Sequence, residues 1–173
     1  MHKRCRITIR DIAVLGMMLA MLEAVKRALE FLPNIELVTL LFILFTLFYG
    51  AKTLLAAFAF TGVECLVFGA GLWNFMYLYI WPLEVLLVLL IRRKAGWEEG
   101  YIVYCVFSGA FGLFFGLLCS IVYIFTSGPS GALGWWISGI PFDILHGAGN
   151  FTLSLILFKP LSAALRQIQR KFS

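Results

Sequence analysis

Apolar residues run along this chain in long blocks, at about 12–32, 37–49, 54–68, 75–91, 102–125 and 140–161, with glycines, prolines and charges between them. A helix needs ~20 apolar residues to cross a bilayer core, so the pattern predicts an all-α integral membrane protein of six transmembrane helices. All six belong to a single membrane domain, residues 1–173. Pro33-Asn34 closes the first block, Gly50 the second and Gly69-Ala70-Gly71 the third. The fourth contains Trp81-Pro82, and the sixth opens with Pro141 near its first turn, where a missing N–H costs nothing.

The placement of basic residues orients the blocks. Lys3, Arg4, Arg6 and Arg10 precede the first block, and Lys52 follows the second. Arg92, Arg93 and Lys94 follow the fourth, and Lys159, Arg166, Arg170 and Lys171 close the chain. Of 14 lysines and arginines only Lys26 and Arg27 lie elsewhere, inside the first block. Such asymmetry is the positive-inside signal and predicts both termini on the cytoplasmic side. The first twenty residues look like a signal peptide, but Glu23, Lys26 and Arg27 follow with no small-residue cleavage site. This segment is therefore expected to stay as helix one, with Glu23 and Arg27 neutralising one another at i,i+4.

Composition supports the same class. The 173 residues are 62% hydrophobic and 13% charged, against about 45–50% and about 25% in soluble domains. Mean hydropathy is +0.95. The net charge of +5 sits in clusters between apolar runs, not along one polar face as in a nucleic-acid binder. Cys5, Cys65, Cys105 and Cys119 form no C-x-x-C pair and read as structural.

Candidate chemistry comes from polar groups inside the blocks, where each costs ~2.5–3.5 kcal/mol and is a functional candidate by default. Glu64 and Glu84 are such groups, and Asp143, His146 and Asn150 share one helix face at i, i+3 and i+7. With six alternating spans, Glu64, Asp143 and His146 fall in the outer half and are expected to converge on one outward-facing cavity. The competing expectation is that these groups glue helices together. The connections 69–74 and 126–136 are rich in glycine and tryptophan, and Trp135-Trp136 reads either as an aromatic belt or as a lid. Ligand is expected between that lid, the region of Trp73, Asn74, Tyr77 and Trp81, and the face bearing Asp143, His146 and Asn150, with Glu84 nearby. One histidine and one acid are too few for a closed metal site. No P-loop and no catalytic motif occurs, so no enzyme activity is expected of the chain itself.

Two stripes of small residues recur every four positions: Gly16, Ala20, Ala24 and Ala28, and Ser108, Gly112, Gly116 and Ser120. Such stripes let helix backbones approach closely in lipid. The second is expected to pack within the chain, and the first against a partner.

These features together resemble the substrate-binding S component of an energy-coupling factor (ECF) vitamin transporter. The likeness rests on six spans with both ends inside, the stripe Ala20-x-x-x-Ala24-x-x-x-Ala28, and Leu32-Pro33-Asn34-Ile35-Glu36 after helix one. It rests also on Ile140-Pro141-Phe142-Asp143-Ile144-Leu145-His146, Gly149-Asn150 and Lys159-Pro160-Leu161, while Gly16 departs from an all-alanine stripe. The resemblance implies a high-affinity vitamin binder in the bacterial cytoplasmic membrane. It would dock through the first stripe on a transmembrane scaffold subunit driven by two ATPase subunits, with the vitamin under outer loops and no intrinsic cofactor. The double tryptophan and the Asp143/His146/Asn150 face point to a cobalamin-type member. Riboflavin, a queuosine-like base, a non-transport scaffold subunit and a small facilitator stand as alternatives.

Overall fold

The computed structural model describes residues 8–95 and 100–171. His2, Lys3, Arg4, Cys5 and Arg6 lie outside the described residues, as do residues 96–99. The elements are α1 (Ile9–Leu29), α2 (Val38–Tyr49), a 3-10 turn (Gly50–Lys52), α3 (Thr53–Phe68), α4 (Leu72–Ala95), α5 (Tyr101–Leu113) and α6 (Phe115–Lys171). Among the described residues no strand occurs.

The stretches Val38–Phe68, Leu72–Lys94 and Tyr101–Arg170 are each long and apolar enough to cross a membrane. The first and third double back on themselves. In a straight helix Phe42 and Phe60 would stand ~27 Å apart, yet their ring centroids are 6.0 Å apart, across the turn at Gly50. Likewise Gly116 N donates to Asp143 Oδ1 at 2.9 Å, and Tyr123 stacks on Trp135 at 4.7 Å. These two pairings reverse the chain at Gly128, whose φ of 74° is open to glycine and strained for other residues. α6 therefore has two limbs, 115–127 and 129–171, and α5 runs on through Phe114 into the first.

Three-dimensional contacts then order the rods. Thr39 meets Asn150 while Glu36 meets His146, so α2 runs parallel to the second limb of α6. Lys26 pairs with Glu64 and Lys52 with Asp11, so α1 and α3 are parallel. Successive rods alternate in direction. α2 is buried on every side from Val38 to Phe48 and forms the centre of the bundle, as an all-round apolar helix must.

Alternation gathers charge at two ends. One end holds Arg10, Lys52, Arg92–Lys94 and the last turns of α6. There Thr8 caps α1 in a reciprocal box with Asp11, and Lys52 and Thr8 hold the Asp11 carboxyl down to about 2. The other end holds the α1–α2 loop, the α3–α4 turn and Gly128.

Three expectations need correction. Residues 126–136 are not a loop: all but Gly128 are helical, because Pro129 tolerates a first-turn position and Trp135 packs back on Tyr123. Pro141 consequently lies inside the second limb and not at its start. α4 also begins at Leu72, because Asn74 Oδ1 accepts from Gly71 N at 2.7 Å and caps the helix, so the connection shrinks to 69–71.

Candidate functional site: two chambers at the acidic end

The face Asp143/His146/Gly149/Asn150 does form one surface, and every residue on it meets a different neighbour. Gly116 leaves room for the Asp143 carboxylate, since a Cβ there would overlap it. His146 Nε2 lies 3.3 Å from Glu36 Oε1. Gly149 lies under Ile35, whose Cδ1 is 2.7 Å from where a Cβ would stand. Asn150 Nδ2 donates to Thr39 Oγ1 at 3.3 Å, and below it Ser154 donates to Ser108 at 2.9 Å. The stripe Ser108/Gly112/Gly116 is thus internal packing, as its spacing predicts.

The loop Leu32–Leu37 folds over this face. Asn34 takes φ 60°, a left-handed conformation that asparagine tolerates better than most residues. Thr39 N donates to Glu36 Oε2 at 2.9 Å. Burial opposes ionisation of Glu36, but the bonds from His146 and Thr39 outweigh it and hold its carboxyl below the usual range.

Two cavities open beside the loop. The first, about 240 Å³, is lined by Lys26, Glu36, Phe60, Tyr77 and Trp81. The second, about 320 Å³, is lined by Gly116, Cys119, Trp135, Phe142 and Asp143. Asn34, Phe115 and His146 belong to both and form the partition. Aromatic rings continue the wall: Tyr77 meets Trp81 at 5.2 Å, Trp81 meets Phe115 at 5.7 Å, and Phe115 meets His146 at 5.0 Å. The tilted and edge-on contacts suit ring quadrupoles and make a rigid apolar surface.

The remaining sequence candidates are placed differently. Glu64 does not converge with Asp143 and His146: it is fully buried against Lys26, with Arg27 Nη2 3.6 Å away. It is therefore an acid with basic partners. Lys26 Nζ also stands 5.1–5.7 Å from the rings of Phe60, Phe68, Trp73 and Tyr77, so Trp73 belongs to a cage around that ammonium. Arg27 reaches Glu23 at 3.6 Å, as the i,i+4 spacing predicts. Asn74 caps a helix, and Trp136 and Asn150 line neither chamber. Glu84 is fully buried, with no hydrogen-bond partner to either carboxylate oxygen among the described residues, and also lies outside both. Trp135 lines the second chamber from within a helix, so Trp135-Trp136 is not a loop lid and Trp135 alone forms part of a chamber wall.

Asn34, Phe60 and Phe115 are not sequence candidates, since an aromatic or a loop amide in an apolar chain has no spacing signature, whereas Lys26, a charge inside the first block, carries one. Glu36 carries a signal, an acid just before the start of α2, where the helix dipole favours negative charge. Among the described residues no three His, Cys, Asp or Glu side chains gather as a metal site.

Comparison of the chain with family models, with curated proteins and with solved structures finds no match. The fold and composition define the class: an all-helical protein whose long apolar helices suit a membrane.

Proposed function

We propose that this chain is the membrane-embedded, substrate-binding subunit of an ECF-type importer, crossing the bilayer six times with its basic end in the cytoplasm. The observation that carries this reading is the pair of aromatic-walled chambers at the end opposite Arg10, Lys52 and Arg92–Lys94. A binding site facing outward, in a chain with no energy-coupling motif, calls for a scaffold and ATPases supplied by partners. The chambers sit at or below the small end of the ~300–1,000 Å³ usual for ligand sites. They favour a compact heterocycle over a corrinoid, which would require the two to merge and the Leu32–Leu37 loop to lift.

The α1 stripe supports a docking role. α1 buries only Met18 and Leu22, while Gly16, Ala20, Ala24 and Ala28 are all exposed, with open space beside Gly16. With scaffold and ATPases co-reconstituted, Ala24→Trp is expected to abolish uptake while leaving ligand affinity of the isolated subunit within about twofold, because bulk blocks close helix approach. Joint loss of binding and uptake would make the stripe internal to the subunit's fold. ATP-independent uptake by the chain alone would instead identify a facilitator.

Topology is tested separately. In a cysteine-free background, Ser130→Cys is expected to react with an impermeant thiol reagent added to intact cells, and Lys94→Cys only after permeabilisation. Equal labelling of both from outside would overturn the six-span arrangement.

The scaffold alternative draws support from the internal bonds of His146 to Glu36 and Asn150 to Thr39, since both side chains already serve packing. Vitamin retained by the purified subunit, identified by mass spectrometry, separates the two readings; a subunit that neither retains nor binds one is a scaffold.

A further inference from the structure

Asp143 lines the second chamber and carries an acceptor that the fold leaves unused. Asp143 Oδ1 takes the Gly116 N–H at 2.9 Å, but Oδ2 has no hydrogen-bond partner among the described residues although Asp143 is only 7% exposed. A buried charged acceptor without a donor is costly. The lysine and arginine at this end, Lys26 and Arg27, are engaged by Glu64, Glu23 and Glu30, and His146, one turn along the same face, is bonded to Glu36.

The charge of the surroundings points the same way. The charged side chains lining the chambers are Glu30, Glu36 and Asp143 against Lys26, with His146 in the partition. The end is therefore rich in carboxylate, which disfavours an anionic ligand and favours one that brings N–H donors. Phe115 and Trp135 supply flat apolar walls to the same chamber, and Trp135 is held in place by its stack on Tyr123. Flat walls select a planar ring.

We propose that the ligand is an amino-substituted nitrogen heterocycle that lies in the second chamber against Phe115 and Trp135 and donates an exocyclic N–H to Asp143 Oδ2. This names the substrate class of the proposed importer site and rests on that reading. The Gly116 bond holds one carboxylate oxygen, the other is covered until a ligand reaches it, and a ring lacking the amine leaves it unpaired. Selectivity between the two rings then comes from an unmade hydrogen bond to a charged acceptor.

2-Aminopurine tests the proposal, since it is planar, carries the amine and loses fluorescence on stacking. With the full chain in lipid nanodiscs, its emission is expected to quench saturably, and purine, which lacks the amine, to compete at least about tenfold more weakly. Asp143→Asn should weaken 2-aminopurine about 10- to 100-fold, as loss of a ~1–3 kcal/mol hydrogen bond implies. Asparagine can keep the Gly116 bond through its own oxygen while turning an NH₂ toward the ligand, so an unchanged melting temperature would show that the variant folds. Equal affinity in Asp143→Asn, equal competition by purine, or no quenching up to the probe's solubility would each overturn the proposal. A vitamin that co-purifies and carries no ring amine would also overturn it while leaving the importer reading in place. Asp143-dependent binding in a chain whose uptake needs no ATPase would do the reverse.

Discussion

Lys26→Met is expected to lower the stability of the folded subunit by about 3 kcal/mol, and the double variant Lys26→Met/Glu64→Leu to recover most of that loss. Glu64 is fully buried and Lys26 only partly exposed. Removing one partner of a buried pair leaves an uncompensated charge, typically a loss of ~3–5 kcal/mol, whereas replacing both by apolar groups is often neutral. The lower figure applies because Arg27 stands 3.6 Å from Glu64 and compensates in part. The methionine fits the cage of Phe60, Phe68, Trp73 and Tyr77, exchanging a cation–π contact for a sulfur–aromatic one. In thermal unfolding followed by tryptophan fluorescence the single variant should melt about 6–12 °C lower for a chain of this size. A single variant as stable as wild type would show that the pair is solvated and contributes little.

The second large effect concerns the seam between α5 and the second limb of α6. Gly147→Ala is expected to destabilise by ~1–3 kcal/mol, and Gly134→Ala to be neutral or to stabilise by up to ~1 kcal/mol. A Cβ on Gly147 would stand 2.9 Å from the Gly109 carbonyl oxygen and 3.1 Å from the Leu113 nitrogen, both backbone atoms. Neither can rotate away, so the helices must part, which also stretches the Gly116–Asp143 and Ser108–Asn150 bonds. Gly134 lies in the same limb with nothing within 4 Å of its Cβ position, and there alanine simply improves helix propensity. Melting temperatures of the two variants decide the matter. Equal behaviour would mean that the seam is loose enough to absorb a methyl group.

Much of this architecture is written locally. Apolar block lengths and the breakers Pro33, Gly50 and Gly69 locate the ends of α1, α2 and α3 to within a few residues, because backbone conformation and side-chain partition depend mainly on near neighbours. The i,i+4 pair Glu23/Arg27 and the shared face of Asp143, His146 and Asn150 follow from helical periodicity alone. The segregation of lysines and arginines to one set of connections is likewise a property of order along the chain, and the bundle respects it.

Partnership across helices is another matter. That Glu64 would find Lys26, 38 residues earlier, and not Asp143, depends on which rods become neighbours, and periodicity carries no such information. The helix through residues 129–139 was hidden for a related reason: its glycines disfavour a helix locally, and the Trp135–Tyr123 stack that holds it is made only after the chain reverses at Gly128. The residues alone thus determined a helical, membrane-suited chain with charged ends and the polar face that helps build the site. Only the tertiary structure decided that the Leu32–Leu37 loop covers that face, which side chains have their hydrogen bonds satisfied within the bundle, and that Asp143 Oδ2 does not. The reason is physical: hydrogen-bond satisfaction and cavity shape arise from the relative placement of whole helices, and that placement is set by packing between segments far apart in sequence.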